Sequence, residues 1–242
     1  MRFGMVMPAA LILFADVLPG AVTSDTSQGG PTQYRVGLGY GVGQYEDKSF
    51  SCEGDLVNSR PVDLRGGGGL LELRHRKFRA SGFIGSMAYD RGFPDYEGIY
   101  GGVVVAGEWH SFGLGGGLGG VSGTDATALP SFYLRFGPLD TWHFRAEFLP
   151  PTENLASTGW FRLGVARRRG FEPGWGGAMG LSLGPYSYPG DEFQPRFFGD
   201  LDVPMSSGGP VYLTFRMQVG PGSERTNWSA GGGIRVDLND RR

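Results

Sequence analysis

From residue 33 onward the side chains change character at every second position, and that period confines the chain to strands. Tyr34, Val36, Leu38, Tyr40 and Val42 alternate with Arg35, Gly37, Gly39, Gly41 and Gly43. Trp142, Phe144, Ala146 and Phe148 alternate with His143, Arg145 and Glu147, and Val211, Leu213, Phe215, Met217 and Val219 with Tyr212, Thr214, Arg216 and Gln218. Successive side chains of a strand point to opposite faces, so each run has one bulky apolar face and one small or charged face. A helix would scatter the same residues around its circumference. Runs of this kind lie near 33–43, 64–74, 78–89, 97–108, 111–121, 131–137, 141–148, 159–167, 175–184, 195–204, 210–219 and 227–238. That is about twelve strands, or ten if the glycine-interrupted second run and the short sixth and seventh are discounted.

The connections carry a second periodicity. A long link (44–63) is followed by a tight one (75–77), a longer one (90–96), a tight one (109–110), a longer one (122–130) and a tight one (138–140). Then come 149–158, another outer loop, and 168–174, and the alternation fades in the last third, where 220–226 is no longer than 205–209. Alternating long and short links place all odd connections at one end and all even ones at the other, as in an up-and-down meander. Charge sorts with them. Glu46, Asp47, Glu53, Asp55, Asp90, Asp95, Asp125, Glu153, Asp191 and Glu192 fall in the long links, and Arg76, Lys77, Arg167, Arg168 and Arg169 at the opposite end.

The apolar face carries the bulk of these strands, and the polar face is largely glycine. Turning the bulky face inward would demand two thick packed sheets; turning it outward demands an apolar solvent. Backbone groups in hydrocarbon must all be paired, which only a helix or a closed sheet achieves. No later segment approaches the ~18 continuous apolar residues of a membrane helix. The pattern therefore predicts an all-β, closed antiparallel transmembrane barrel over 33–238. Segment 1–24 reads as a signal peptide, with Arg2 ahead of an apolar stretch and small residues Gly20 and Ala21 near its end. Segment 25–32 is then a linker and 239–242 a tail.

Two residue sets follow. Inward charges Arg35, Arg135, Arg145, Glu147, Arg162, Asp200, Asp202, Arg216, Arg235 and Asp237, with His143, would line or fill the lumen, since an unpaired charge there is costly. Aromatics at run ends (Tyr34, Tyr40, Trp109, Phe112, Trp142, Phe148, Trp160, Trp175, Phe197 and Trp228) would form two interfacial girdles.

Chemistry-bearing motifs are thin. Gly180-Leu181-Ser182-Leu183-Gly184 fits a nucleophile elbow and Gly115-x-Gly117-x-x-Gly120 a dinucleotide fingerprint, but both need a following helix. Each instead continues an alternating strand. His75, His110 and His143 are too scattered for a metal set, and the single cysteine, Cys52, excludes a disulfide within the chain. A net charge of −2 gives no basic field for nucleic acid. No enzyme activity, cofactor or metal is expected.

Over 33–238 the alternation, the unequal links and the aromatic run ends resemble the general family of bacterial outer-membrane β-barrel proteins. The closing residues, Val236-Asp237-Leu238-Asn239-Asp240-Arg241-Arg242, depart from the aromatic final residue usual in that family. The resemblance implies a place in the outer membrane, contact with the lipid bilayer and lipopolysaccharide, and handling by the outer-membrane assembly machinery. It also implies a narrow porin-like channel for a small solute, or a structural and surface-interaction role. The alternatives are a soluble periplasmic β-barrel binding a small apolar ligand, and a barrel-embedded hydrolase using His143 and Glu147.

Overall fold

The computed structural model describes residues 32–50, 56–90, 96–122, 127–139, 141–167, 174–183, 195–207, 209–222 and 225–239. Twelve strands run in chain order: β1 (Gln33–Phe50), β2 (Leu56–His75), β3 (Phe78–Asp90), β4 (Tyr96–Glu108), β5 (Phe112–Ser122), β6 (Thr127–Phe136), β7 (Trp142–Phe148), β8 (Phe161–Arg167), β9 (Gly176–Leu183), β10 (Arg196–Pro204), β11 (Val211–Pro221) and β12 (Thr226–Asn239). Each pairs antiparallel with its neighbours in sequence, and β12 returns to β1 to close the barrel. The expected all-β, closed, up-and-down fold with about twelve strands is the fold observed. Closure matters physically, because it leaves no row of unpaired backbone groups along the wall.

The period-two pattern decides which way the wall faces. On β1, Leu38, Tyr40 and Val42 are exposed on the outside while Arg35 is 2% exposed on the inside. The outer surface repeats this around the barrel, with Leu118 at 71%, Phe197 at 67% and Ile234 at 52% exposed, opposite buried Thr214, Gln218 and Ser229. Bulky apolar groups therefore face out, and charged, polar and glycine positions face in.

Two links differ from the sequence expectation. The long link at 44–63 is mostly strand: β1 and β2 stay in register from Gln44↔Asp63 through Ser49↔Asn58. β12 accompanies β1 only as far as Gln44, and β3 joins β2 only from Asp63. Beyond the rim the two strands thus continue as a ribbon. Side-chain alternation stops there, but backbone pairing does not need it, so the pattern ended before the strands did. The second difference is larger. The link at 149–158 was expected as an outer loop carrying Glu153 into solvent; instead it folds into the barrel.

That inward segment and the inner wall of β1–β4 form the apolar core. Tyr45, Val62, Leu64, Leu70, Phe83, Met87, Tyr89 and Tyr100 pack with Leu149, Leu155 and Ala156. Tyr45 meets Tyr89 edge-on, with ring centroids 6.3 Å apart.

Candidate functional site

The inward segment is a small self-contained unit. Leu155–Ser157 makes one 3₁₀ turn, capped by Asn154, whose side-chain oxygen accepts from Ser157 N. Thr158 N donates to Leu155 O (3.2 Å), Gly159 N donates to the same oxygen (3.1 Å), and Thr158 Oγ1 donates to Asn154 O (2.7 Å). Buried backbone groups must be paired, and here many of the partners come from within the segment. The chain enters through Leu149, at φ 47, and leaves through Gly159, at φ 80. A leucine in the left-handed region is strained, whereas glycine accepts it freely.

Side chains of the wall hold the plug. Ser131 Oγ donates to Leu149 O (2.9 Å), and Tyr100 Oη accepts from Leu155 N (3.0 Å). Thr214 Oγ1 donates to Glu153 Oε1 (3.2 Å), and Arg216 reaches the same oxygen at 3.3 Å. Converting Tyr100 to phenylalanine is expected to lower barrel stability by about 1–3 kcal/mol, since Leu155 N is left buried without its acceptor; equilibrium urea unfolding of the reconstituted protein measures it.

Glycines on the wall make the room. A Cβ at Gly39 would lie 2.7 Å from Glu153 Cγ, one at Gly231 2.5 Å from Ser157 Oγ, and one at Gly119 2.1 Å from Leu149 Cδ2. The glycine face read from the sequence as empty lumen is a seat for this segment.

Below the plug a ring of ion pairs runs round the wall. Arg35 donates to Asp237 (2.7 and 2.8 Å) and to Glu72 (3.2 Å). Arg79 and Arg135 meet at Glu108 (3.4 and 2.9 Å). Arg145 pairs with Glu147 one step along β7, and Arg162 with Asp200 at 2.5 Å. Arg216 and Arg235 share Asp202 (2.7 and 2.5 Å), and Arg235 also meets Asp237 at 3.1 Å. Aromatic faces bridge the gaps: Tyr133 lies between Arg79 (4.0 Å) and Arg145 (5.3 Å), Arg162 stacks on Phe198 (3.8 Å) and Arg235 on Tyr212 (4.3 Å). With Glu153, the ring holds seven arginines and seven carboxylates among the described residues. Buried charge is tolerated only in such paired arrangements.

Ten of the eleven residues expected to carry lumen charge lie in this ring. The eleventh, His143, is buried at the turn end, with Nδ1 3.1 Å from Thr141 O. Sequence reasoning missed Glu72, Arg79, Glu108 and Glu153. Glu72 sits among leucines (Leu70-Leu71-Glu72-Leu73), and Arg79 and Glu108 lie beside tight turns, so all three read as unremarkable. An inward parity count carried to the strand ends would have found them. Nothing local marks Glu153.

Arg135 does double duty: besides Glu108 it donates to the carbonyls of Trp109 (2.6 Å), Phe112 (3.0 Å) and Gly137, tying the β4–β5 and β6–β7 turns together. The aromatics divide by position. Trp109, Phe112, Trp142 and Trp175 lie on the outside at the turn end, where Arg167 stacks on Trp175 at 4.7 Å. Phe197 and Trp228 are exposed near the opposite rim, where both oppose Val219. Tyr40 is not at a strand end, because β1 continues to Phe50. Tyr34 is half-buried, while Phe148 and Trp160 pack against the core beside the plug.

A polar cavity of about 40 Å³ lies between plug and wall, lined by Arg145, Glu147, Thr152, Glu153, Arg162 and Asp200 among others. That is room for about three waters. Ser182 donates to Gln218 (2.7 Å) from within β9, and the Gly115–Gly120 stretch lies inside β5.

No protein-family model matches the sequence, and no curated protein matches it. Among solved structures, the crystal structure of the beta domain of the Bordetella autotransporter Brka matches at 15% identity with a TM-score of 0.41, covering 84% of this chain and 98% of that one.

Proposed function

We propose that this chain is an integral β-barrel of the bacterial outer membrane, closed at rest, with a structural and surface-interaction role rather than that of an open porin. The membrane part rests on polarity. A closed wall with leucine, valine and phenylalanine outside and arginine and glutamate inside has its lowest free energy in hydrocarbon. The closed part rests on one observation: the segment from Thr152 to Gly159 is buried along its whole length inside the barrel, above a charge-balanced ring. Lipopolysaccharide around the wall and the assembly machinery are the partners this reading entails. It is a non-enzymatic reading, supported by the strand-bound setting of Ser182.

The purified protein is expected to require detergent, to migrate differently in gels before and after heating, and to leave planar bilayers electrically silent. Recovery from the soluble fraction without detergent would favour a periplasmic ligand binder instead. A sharper check uses Leu118, 71% exposed and central on β5. Leu118→Arg is expected to cost about 2–4 kcal/mol of stability in lipid vesicles. In a water-facing position the same change would be neutral.

A further inference from the structure

We propose that the Leu149–Gly159 segment is a displaceable plug, and that its withdrawal opens an aqueous path through the barrel that prefers small inorganic anions. The inference rests on the closed-barrel reading above and adds a conditional transport function to it.

Three observations carry it. First, the plug can leave without dismantling the wall. Its turn is capped and bonded from within, and every barrel strand finds its two neighbours without it. Among the described residues its side-chain ties to the wall run through Ser131, Tyr100, Thr214 and Arg216, with a backbone bond from Leu149 N to Trp160 O at its root. Its entry residue Leu149 sits at φ 47, a strained conformation that withdrawal would release. Second, the space it vacates would stay open. On its β1 and β12 side the plug rests on Gly37, Gly39, Gly41 and Gly231, which have no side chains to swing into the gap. Its other side leaves the packed core of Leu70, Phe83, Met87 and Tyr100 in place on the wall, and the guanidinium of Arg135 is fixed to turn carbonyls. Third, the plug carries charge with it. Seated, Glu153 completes a balance of seven arginines and seven carboxylates; withdrawn, it leaves the seven arginines facing six. An excess of fixed positive charge concentrates anions in a narrow low-dielectric passage.

The structure supplies a lock to test this. A Cβ built at Gly37 lies 3.6 Å from Glu153 Cβ, inside the ~3.5–4.5 Å range of a disulfide. The probe is therefore G37C/E153C, with the chain's one native thiol removed by Cys52→Ser. The full chain is folded into vesicles, checked for its heat-modifiable gel shift, and measured in planar bilayers under a potassium chloride gradient.

The oxidised pair is expected to be silent. Reduction releases a plug that has already lost its carboxylate tie to Arg216 through the substitution at Glu153, and is expected to bring discrete openings with a reversal potential displaced toward that of chloride. Silence of the reduced, folded protein would overturn the plug, as would equal conductance before and after reduction. Openings displaced toward potassium would overturn the charge argument. Steady conductance from the unmodified chain would instead sink the closed-barrel reading, a separate failure that the same bilayers distinguish.

Discussion

Arg35→Ala is expected to destabilise the folded barrel by about 3–5 kcal/mol, the largest effect of any single substitution in the ring. Arg35 is 2% exposed and makes charge-assisted bonds to two carboxylates, Asp237 at 2.7 and 2.8 Å and Glu72 at 3.2 Å. Its removal strands both where neither water nor another cation fully replaces it. Asp237 keeps Arg235 at 3.1 Å and Glu72 keeps Ser81 at 3.4 Å, so the loss is severe without being total. Urea unfolding in lipid vesicles, followed by tryptophan fluorescence, reads it directly. The double change Arg35→Met, Glu72→Gln should recover part of the loss, because the ring stays charge-balanced and Asp237 keeps Arg235. If Arg35→Ala unfolded at the wild-type urea concentration, the ring would not be holding β1, β2 and β12 together.

Gly39→Phe is expected to unseat the plug while leaving the wall intact. Phenylalanine suits a strand, and a Cβ at position 39 clears the wall backbone by 3.4 Å at Gly232 O. The conflict is with the plug, whose Glu153 Cγ would be 2.7 Å away before any ring atom is added. Ser157, fully buried in the parent protein, reports the outcome when changed to cysteine in the Cys52→Ser background. Maleimide labelling of that thiol should accelerate at least ~10-fold, which corresponds to a shift of ~1.4 kcal/mol in the docking equilibrium. The heat-modifiable gel shift should persist. Unchanged labelling in a folded barrel would mean that the segment does not depend on the Gly39 groove.

The two substitutions separate what kinds of information the chain carries. Arg35 was legible as an inward charge, and so were Arg145 and Glu147, which face the same way two residues apart on β7. Their partners were less so. Arg35 meets Asp237 from the far end of the chain because β1 closes against β12, and Arg216 meets Asp202 across β10 and β11. Which inward residue faces which depends on register and closure, and neither is written in a single strand. His143 is likewise inside, as its parity places it, and its ring meets the Thr141 carbonyl, a turn contact that parity does not indicate.

The wall and its polarity follow from sequence alone, because side-chain alternation is a local property of extended backbone and needs no knowledge of the neighbouring strand. The plug was decided only by the tertiary structure. Segment 149–159 has no periodicity of its own, and its burial depends on space left by Gly37, Gly39 and Gly41 at one end of the barrel sequence and Gly231 at the other. A glycine in a strand announces that room exists, but what fills that room is set by how the closed sheet brings distant segments together.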